Sequence, residues 1–296
     1  MSELTADAGS ALENLRARLR TTPLHLAWRY GISVVGALAN GRVLRDVETY
    51  CLFVGHPRSG HSVVGALLDA HPQIVISDEL DALRYVEAGF RRRQILYLSL
   101  RVARHQAARQ RRKLGRTGTY SYWVPDGAQG RTRDLRVVGD SRAGWSVRRL
   151  TADPALLSRV DDLMAPSAVR FIHVVRNPFD NISTMVIRGR RTLEAATQRY
   201  FANCSALVEL RRRIGDERLL TIRHEDLIAD ARGELGRATA FLGISAGQRY
   251  LDACAAIVYP QPSRTRESVP WSPPAIAEVR ARIDDYAFLA GYAFDG

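Results

Sequence analysis

The segment Gly55-His56-Pro57-Arg58-Ser59-Gly60-His61-Ser62 constrains the chain more than any other. It follows a short apolar run that ends in glycine, Cys51–Gly55, which reads as a buried strand. After it, Val63, Val64, Ala66, Leu67 and Ala70 recur at helical spacing until His71-Pro72 closes the helix. A strand, a glycine-bounded turn and a helix in that order aim successive backbone N–H groups and the positive end of a helix dipole at one point. Such a turn is an anion cradle. Its two glycines are separated by four residues, with a hydroxyl residue near the helix start, the spacing of phosphate-binding loops. The lysine that nucleotide hydrolases require there is replaced by His61, and the permanent positive charge stands at Arg58 instead.

The rest of the chain alternates. A second strand around Ile74–Ile76 leads toward a helix starting near Asp78. Leu135–Asp140 and Val169–Pro178 read as strands that meet polar loops, and Arg218–Arg223 as another. Leu193, Ala196, Tyr200, Cys204, Leu207, Leu210 and Ile214 mark one face of a long helix, and a later helix ends near Phe241-Leu242-Gly243. Alternating strands and helices predict an α/β, P-loop-like, three-layer fold with a central parallel sheet flanked by helices. Ligands in such folds sit beyond the carboxyl ends of the strands, where these polar loops fall. We expect a helical extension over residues 1–47. One domain then spans 48–296, with a basic helical insertion near 84–118.

The formal charge of +12 implies a surface field that attracts anions. Arg84–Arg116 concentrates it, with 11 basic residues against the single acid Glu87. That block reads as a solvated helix pair, as a positive wall beside an anionic ligand, or as a contact with acidic lipid. Aromatic residues are not interleaved at base-stacking spacing, so nucleic acid is not an expected partner. Cys51, Cys204 and Cys254 form neither a disulfide framework nor a metal pattern, which suits a reducing, cytoplasmic setting. Leu24–Ala39 is apolar but broken by Arg29. It reads as an amphipathic helix docked on the domain or on a membrane surface, rather than as a signal peptide or a span.

Four ordered segments carry a family resemblance. FVGHPRSGHSVVGALLDAHP resembles the 5′-phosphosulfate loop of sulfotransferases that use 3′-phosphoadenosine 5′-phosphosulfate (PAPS). FIHVVRNPFDNIST resembles their 3′-phosphate segment, in which an arginine ends a strand and a hydroxyl follows eight positions later; here these are Arg176 and Thr184, with Ser183 adjacent. LLTIRHEDLIADARGELGRATAFLGI resembles the stretch after the last sheet strand, and PSRTRESVPWSP a C-terminal loop that covers the site. The resemblance implies PAPS as donor and adenosine 3′,5′-bisphosphate as product. It implies donor contacts at Arg58, Ser59, Gly60, His61, Ser62, Arg176, Ser183 and Thr184, with Arg264 and Arg266 closing over the 3′-phosphate. Trp271 is expected to pack on adenine or to anchor the loop. The chain departs from the family at His61, usually threonine, and at His224, which replaces a tyrosine before Glu225-Asp226 but still offers a ring for stacking.

Sulfuryl transfer needs in-line positioning, positive charge or N–H groups at the leaving oxygen, and a base for the acceptor proton. Arg58 and the loop amides supply the charge, without a metal. Glu79, 21 residues after Arg58, matches in register the catalytic glutamate of tyrosyl-protein sulfotransferases, which this stretch resembles. The other reading is a first-turn acid favoured by the helix dipole near Asp78, and His61 and His56 are rival bases. In the loop Gly139–Gly144, Arg142 is expected either to touch the sulfuryl oxygens or to pair with Asp140. Two other classes stay open. One is a P-loop kinase or nucleotide hydrolase using Asp140 on a metal; the other is a non-catalytic anion- or membrane-surface-binding protein. For a sulfotransferase, Arg84–Gly130 with Tyr120, Tyr122 and Trp123 would shape the acceptor pocket. A hydroxyl of a sugar, glycolipid, natural product or peptide tyrosine would all fit.

Overall fold

The computed structural model describes residues 22–114 and 120–295. The first 21 residues of the expected extension, and Arg116 of the basic block, lie outside them. The first helix is α1, Pro23–Ala39, where Thr22 Oγ1 accepts from the His25 N–H and Pro23 presets the first turn. There follow β1 Thr49–Gly55, α2 His61–Asp69, β2 Ile74–Ser77, α3 Ala82–Glu87, α4 Arg92–Arg111 and β3 Val137–Asp140. Next come α5 Ala143–Ala152, α6 Pro154–Met164, β4 Ala168–Val175, α7 Pro178–Gly189 and α8 Leu193–Ile214. The chain finishes with β5 Leu219–Arg223, α9 His224–Ala229, α10 Ala231–Phe241, α11 Gln248–Ala255 and α12 Pro273–Ile283.

The five strands form one sheet in the order β2-β3-β1-β4-β5, and every neighbouring pair is parallel. Successive side chains of a strand point to opposite faces, and β1 shows the division. Tyr50, Leu52 and Val54 enter a core with Val75, Val138 and Phe171 and with residues of α3 to α6 and α8. Cys51 and Phe53 enter a second core with Ile74, Ile76 and Val174, covered by α2, α10 and α11. Burial on both faces explains why the strands read as unbroken apolar runs. A third cluster joins α7 and α8 to α12 and the C-terminal segment around Phe179, Tyr200 and Val279.

The basic segment contributes to the layers. Under its arginines, α4 buries Ile95, Leu96, Leu98, Leu100 and Ala103 in the first core. In turn, α4 carries α1: Gln94 Nε2 donates to Ser33 Oγ at 3.0 Å, and Gly36 lies flat on the Tyr97 ring. A Cβ added at Gly36 would sit 2.0 Å from that ring, so the close approach requires glycine. The outer face of α1 leaves Leu24, Val35 and Leu38 exposed. Among the described residues no helix is long and apolar enough to cross a membrane.

One local expectation fails. No helix begins near Asp78; β2 runs to Ser77, the chain turns, and α3 starts at Ala82. Glu79 and Asp81 both take left-handed backbone, with φ of 65° and 63°. The reason lies one strand away, in the carboxylate of Asp140, which accepts from the N–H groups of Leu80 at 3.0 Å and Ala82 at 2.9 Å.

Candidate active site

The phosphate-type loop is built on backbone that ordinary residues avoid. Arg58 has φ 67° and Gly60 φ 101°, the latter heading α2 with no side-chain cap. A non-glycine residue in this region costs roughly 1–2 kcal/mol, a strain that accumulates where function requires it. Gly60 is fixed twice over, because a Cβ there would lie 2.3 Å from the His224 ring. The uncapped first N–H groups of α2 remain for an anion. Ser59 turns inward, its Oγ donating to the His56 carbonyl at 3.0 Å, so it shapes the loop from beneath. His56 also lies beneath the loop. It is fully buried, stacked on Tyr200 with ring centroids 4.1 Å apart, and burial pushes it down to about 4. It does not line the cavity described below and is set aside as a base.

Glu79 projects from the turn that Asp140 holds. On its other side, Gln106 of α4 grips Asp78, its Oε1 accepting the Asp78 N–H at 2.9 Å while its Nε2 donates to the Asp78 carbonyl. Glu79 Oε2 pairs with Arg142 Nη1 at 2.7 Å, and Oε1 lies 3.8 Å from His61 Nε2. Burial pushes the Glu79 carboxyl up, but His61, Arg142 and Arg58 together hold it below the usual carboxylate range. Arg142 therefore pairs with Glu79 and not with Asp140. Asp140 is wholly buried, and burial pushes its carboxyl up to about 7 against the pull of its N–H and hydroxyl donors. With both oxygens committed to Ser77, Leu80 and Ala82, it cannot serve as the metal-binding acid of a nucleotide hydrolase.

A second anion station lies at the end of β4. Arg176 is 7% exposed and reaches Thr184 Oγ1 at 3.3 Å, Thr265 Oγ1 at 3.4 Å and the Ser263 carbonyl. Thr184 and Thr265 hydroxyls are 3.0 Å apart. Ser183 faces the other way, accepting from Trp271 Nε1 at 2.9 Å, so Trp271 anchors the covering loop rather than meeting adenine. Arg266 is also placed differently from the expectation. It is buried, holds both oxygens of Asp180 and donates to the Ala293 and Phe294 carbonyls. Arg264 is exposed and faces Glu267 at 3.8 Å. Neither arginine lines the cavity; Thr265, Ser263 and Gln261 of the same loop do.

The two stations open into one cavity of about 930 Å³. Arg58, Gly60, His61, Ser62, Glu79 and Arg142 line one part, and Arg176, Thr184, Thr265 and His224 another. Burial, then Arg176, push His224 down to about 4, so it is a neutral ring. Four buried nitrogens on this lining have no hydrogen-bond partner among the described residues: His61 Nδ1, Arg142 Nε, Arg176 Nε and His224 Nδ1. Sequence reasoning missed Thr265, Trp145 and the wall arginines Arg148, Arg188 and Arg199. No motif marks these arginines, because α5, α7 and α8 contribute one each. Donor atoms of His61, Asp78 and Glu79 fall within 4.8 Å of one another, a spacing able to hold a cation. Both carboxylates already have partners, Arg142 for Glu79 and the Ser62 and Ser141 hydroxyls for Asp78.

A family model described as the sulfotransferase family matches residues 52–247. Solved structures agree in fold. The sulfotransferase domain of the Synechococcus PCC 7002 olefin synthase superposes with a TM-score of 0.50 at 17% identity, covering 81% of this chain and 94% of its own. Sulfotransferase STF9 from Mycobacterium avium superposes with a TM-score of 0.51 at 14% identity, covering 86% of this chain and 81% of its own. No curated protein matches.

The placement of the two C-terminal arginines gives a stability prediction. Arg266→Ala leaves Asp180 a buried, unpaired carboxylate and should cost about 3–5 kcal/mol, whereas exposed Arg264→Ala should stay within about 0.5 kcal/mol. Urea unfolding of the two variants checks the contrast.

Proposed function

Because the chain belongs to the sulfotransferase family, we propose that this cavity binds PAPS and that the protein passes its sulfuryl group to an acceptor hydroxyl, leaving adenosine 3′,5′-bisphosphate. The observation that carries the reading is the pair of anion stations on one cavity, each with an arginine or helix N-terminus and each with orphaned nitrogens. A nucleotide with phosphates at both the 3′ and 5′ positions asks for that arrangement. PAPS supplies an activated sulfuryl group with a phosphate as leaving group. The loop amides, Arg58 and Ser62 would hold the 5′ end. Arg176 matches the 3′-phosphate with its planar fork, supported by the Thr184 and Thr265 hydroxyls. His224, neutral and with its Cδ2 edge toward Gly60, offers a ring to the nucleoside.

Glu79 is the base in this reading and Arg142 its regulator. The carboxylate is tied to Arg142 and drawn toward His61, which lowers its basicity. An anion arriving on the loop gives Arg142 a second partner and adds negative charge beside the carboxylate. Both effects raise the affinity of Glu79 for a proton. The base is thus weakest without donor and strengthens when donor is in place. Its left-handed backbone, pinned by Asp140 and Gln106, fixes the direction from which an acceptor proton is taken.

Adenosine 3′,5′-bisphosphate at a hundredfold excess over Kd should stabilise the fold by about 2.7 kcal/mol and raise the melting temperature more than ATP with magnesium does. Arg176→Ala should abolish the shift, and equal shifts from both nucleotides in the native chain would overturn the reading. Glu79→Gln should keep nucleotide binding while transfer from labelled PAPS to a pool of phenol and sugar acceptors falls by about 10²–10⁴. Carbon-13 NMR of the Glu79 carboxyl should show its pKa below the ordinary glutamate range in the free protein. It should rise on adding adenosine 3′,5′-bisphosphate with sulfate, and also in Arg142→Gln.

A further inference from the structure

A second cavity of about 760 Å³ lies between α1 and α4, on the far side of the Asp78–Asp81 turn. Asp78, Glu79 and Arg142 line both cavities, so the Glu79 carboxyl stands at their boundary. The roof is α1, through His25, Trp28 and Arg29, and the aromatic side walls are Tyr85 and Tyr97. The floor is a cationic stretch of α4 that carries Arg101, Arg104 and Arg109, with Arg101 and Arg104 three residues apart on one face. These three arginines have no hydrogen-bond or ion-pair partner among the described residues. The acids nearby are already taken. Arg149 holds Asp81 through both oxygens at 3.1 and 3.0 Å, Arg142 holds Glu79, and hydroxyls hold Asp78. Arg101 and Arg104 are exposed and three residues apart, and like charges at that spacing on a helix repel; an anion bound between them relieves the repulsion.

We propose that the second cavity is the acceptor site, and that the acceptor carries, besides its hydroxyl, an anionic group (carboxylate, phosphate or sulfate ester) held by Arg101 and Arg104. The inference rests on the sulfotransferase reading of the first cavity. A ring or short chain lies between Trp28 and Tyr97, the anion meets the α4 arginines, and the hydroxyl reaches Glu79 from the side opposite the donor. Deprotonation by Glu79 and attack on sulfur form the new O–S bond as the bond to the 5′-phosphate oxygen breaks; the proton stays on Glu79 and the phosphate leaves with the electron pair. The N-terminal helix is then part of the substrate site, set in place by the contact of Gly36 with Tyr97.

The test is calorimetric binding to the full chain with the first cavity saturated by adenosine 3′,5′-bisphosphate. Two matched pairs serve as probes, 4-nitrophenyl β-D-glucuronide against the glucoside, and 1-naphthyl phosphate against 1-naphthol. The charged member of at least one pair should bind about ten- to a hundredfold more tightly, the worth of a charge-assisted hydrogen bond. Arg101→Gln with Arg104→Gln should erase that preference and leave the nucleotide affinity unchanged. Gly36→Leu, which drives α1 off Tyr97, should weaken both members of each pair. No preference, no binding of any probe, or a preference that survives the double substitution would overturn the acceptor inference. Failure of the native chain to bind the nucleotide would instead overturn the donor reading beneath it.

Discussion

A single buried carboxylate sets the geometry on which the candidate site depends. Asp140 ends β3 inside the sheet, yet its two oxygens serve the neighbouring strand, accepting from the Leu80 and Ala82 N–H groups and the Ser77 hydroxyl. Without those acceptors the Leu80 and Ala82 N–H groups would lack the partner that buried polar groups require. With them, the chain makes its left-handed step at Glu79 directly after the strand. Burial pushes the Asp140 carboxyl up to about 7, against the pull of the N–H and hydroxyl donors it organises. The interaction works in both directions: the turn solvates the carboxylate and the carboxylate shapes the turn.

Two strained steps, at Arg58 and at Glu79, face one another across the first cavity. Each is over-determined by its surroundings, as strained backbone has to be. The loop is pinned by Ser59 to the His56 carbonyl and by Asn181 Nδ2 to the Pro57 carbonyl at 2.9 Å. The turn is pinned by Asp140 and Gln106. The side chains that meet between them are therefore carried on fixed backbone, which is how positioning contributes to a transfer reaction.

Much of this was legible in the chain because the relevant information is local. The strand–loop–helix at Gly55–Ser62 is encoded within a dozen residues, and fully buried strands announce themselves by composition. What escaped was decided by distant partners. Asp78–Asp81 looked like a helix start because the carboxylate that blocks one belongs to Asp140, about 60 residues on. Arg266 looked available for phosphate because Asp180, which consumes it, lies 86 residues away. Of the adjacent pair Ser183 and Thr184, only Thr184 reaches the cavity, and the choice is made by Trp271. The basic block hid a core helix, since its arginines outnumber the Ile95, Leu98 and Ala103 stripe that carries the packing.

The two cavities share one wall, and its charge arrangement bears on how two anions can meet there. A donor phosphosulfate on one side and an anionic acceptor on the other would repel across Glu79, itself negative. That repulsion would grow as solvent is displaced by the two ligands, since Coulomb energies rise several-fold as the effective dielectric falls. The arginines answer it in layers. In the proposed arrangement Arg58 and Arg176 would serve the donor and Arg101 and Arg104 the acceptor, while Arg142 stands at the boundary, paired to Glu79. Each anion would thus bring its repulsion to a place where a cation already stands. At the boundary the two acids Asp78 and Glu79 meet the cation Arg142, and it is there that the proposed proton transfer would take place.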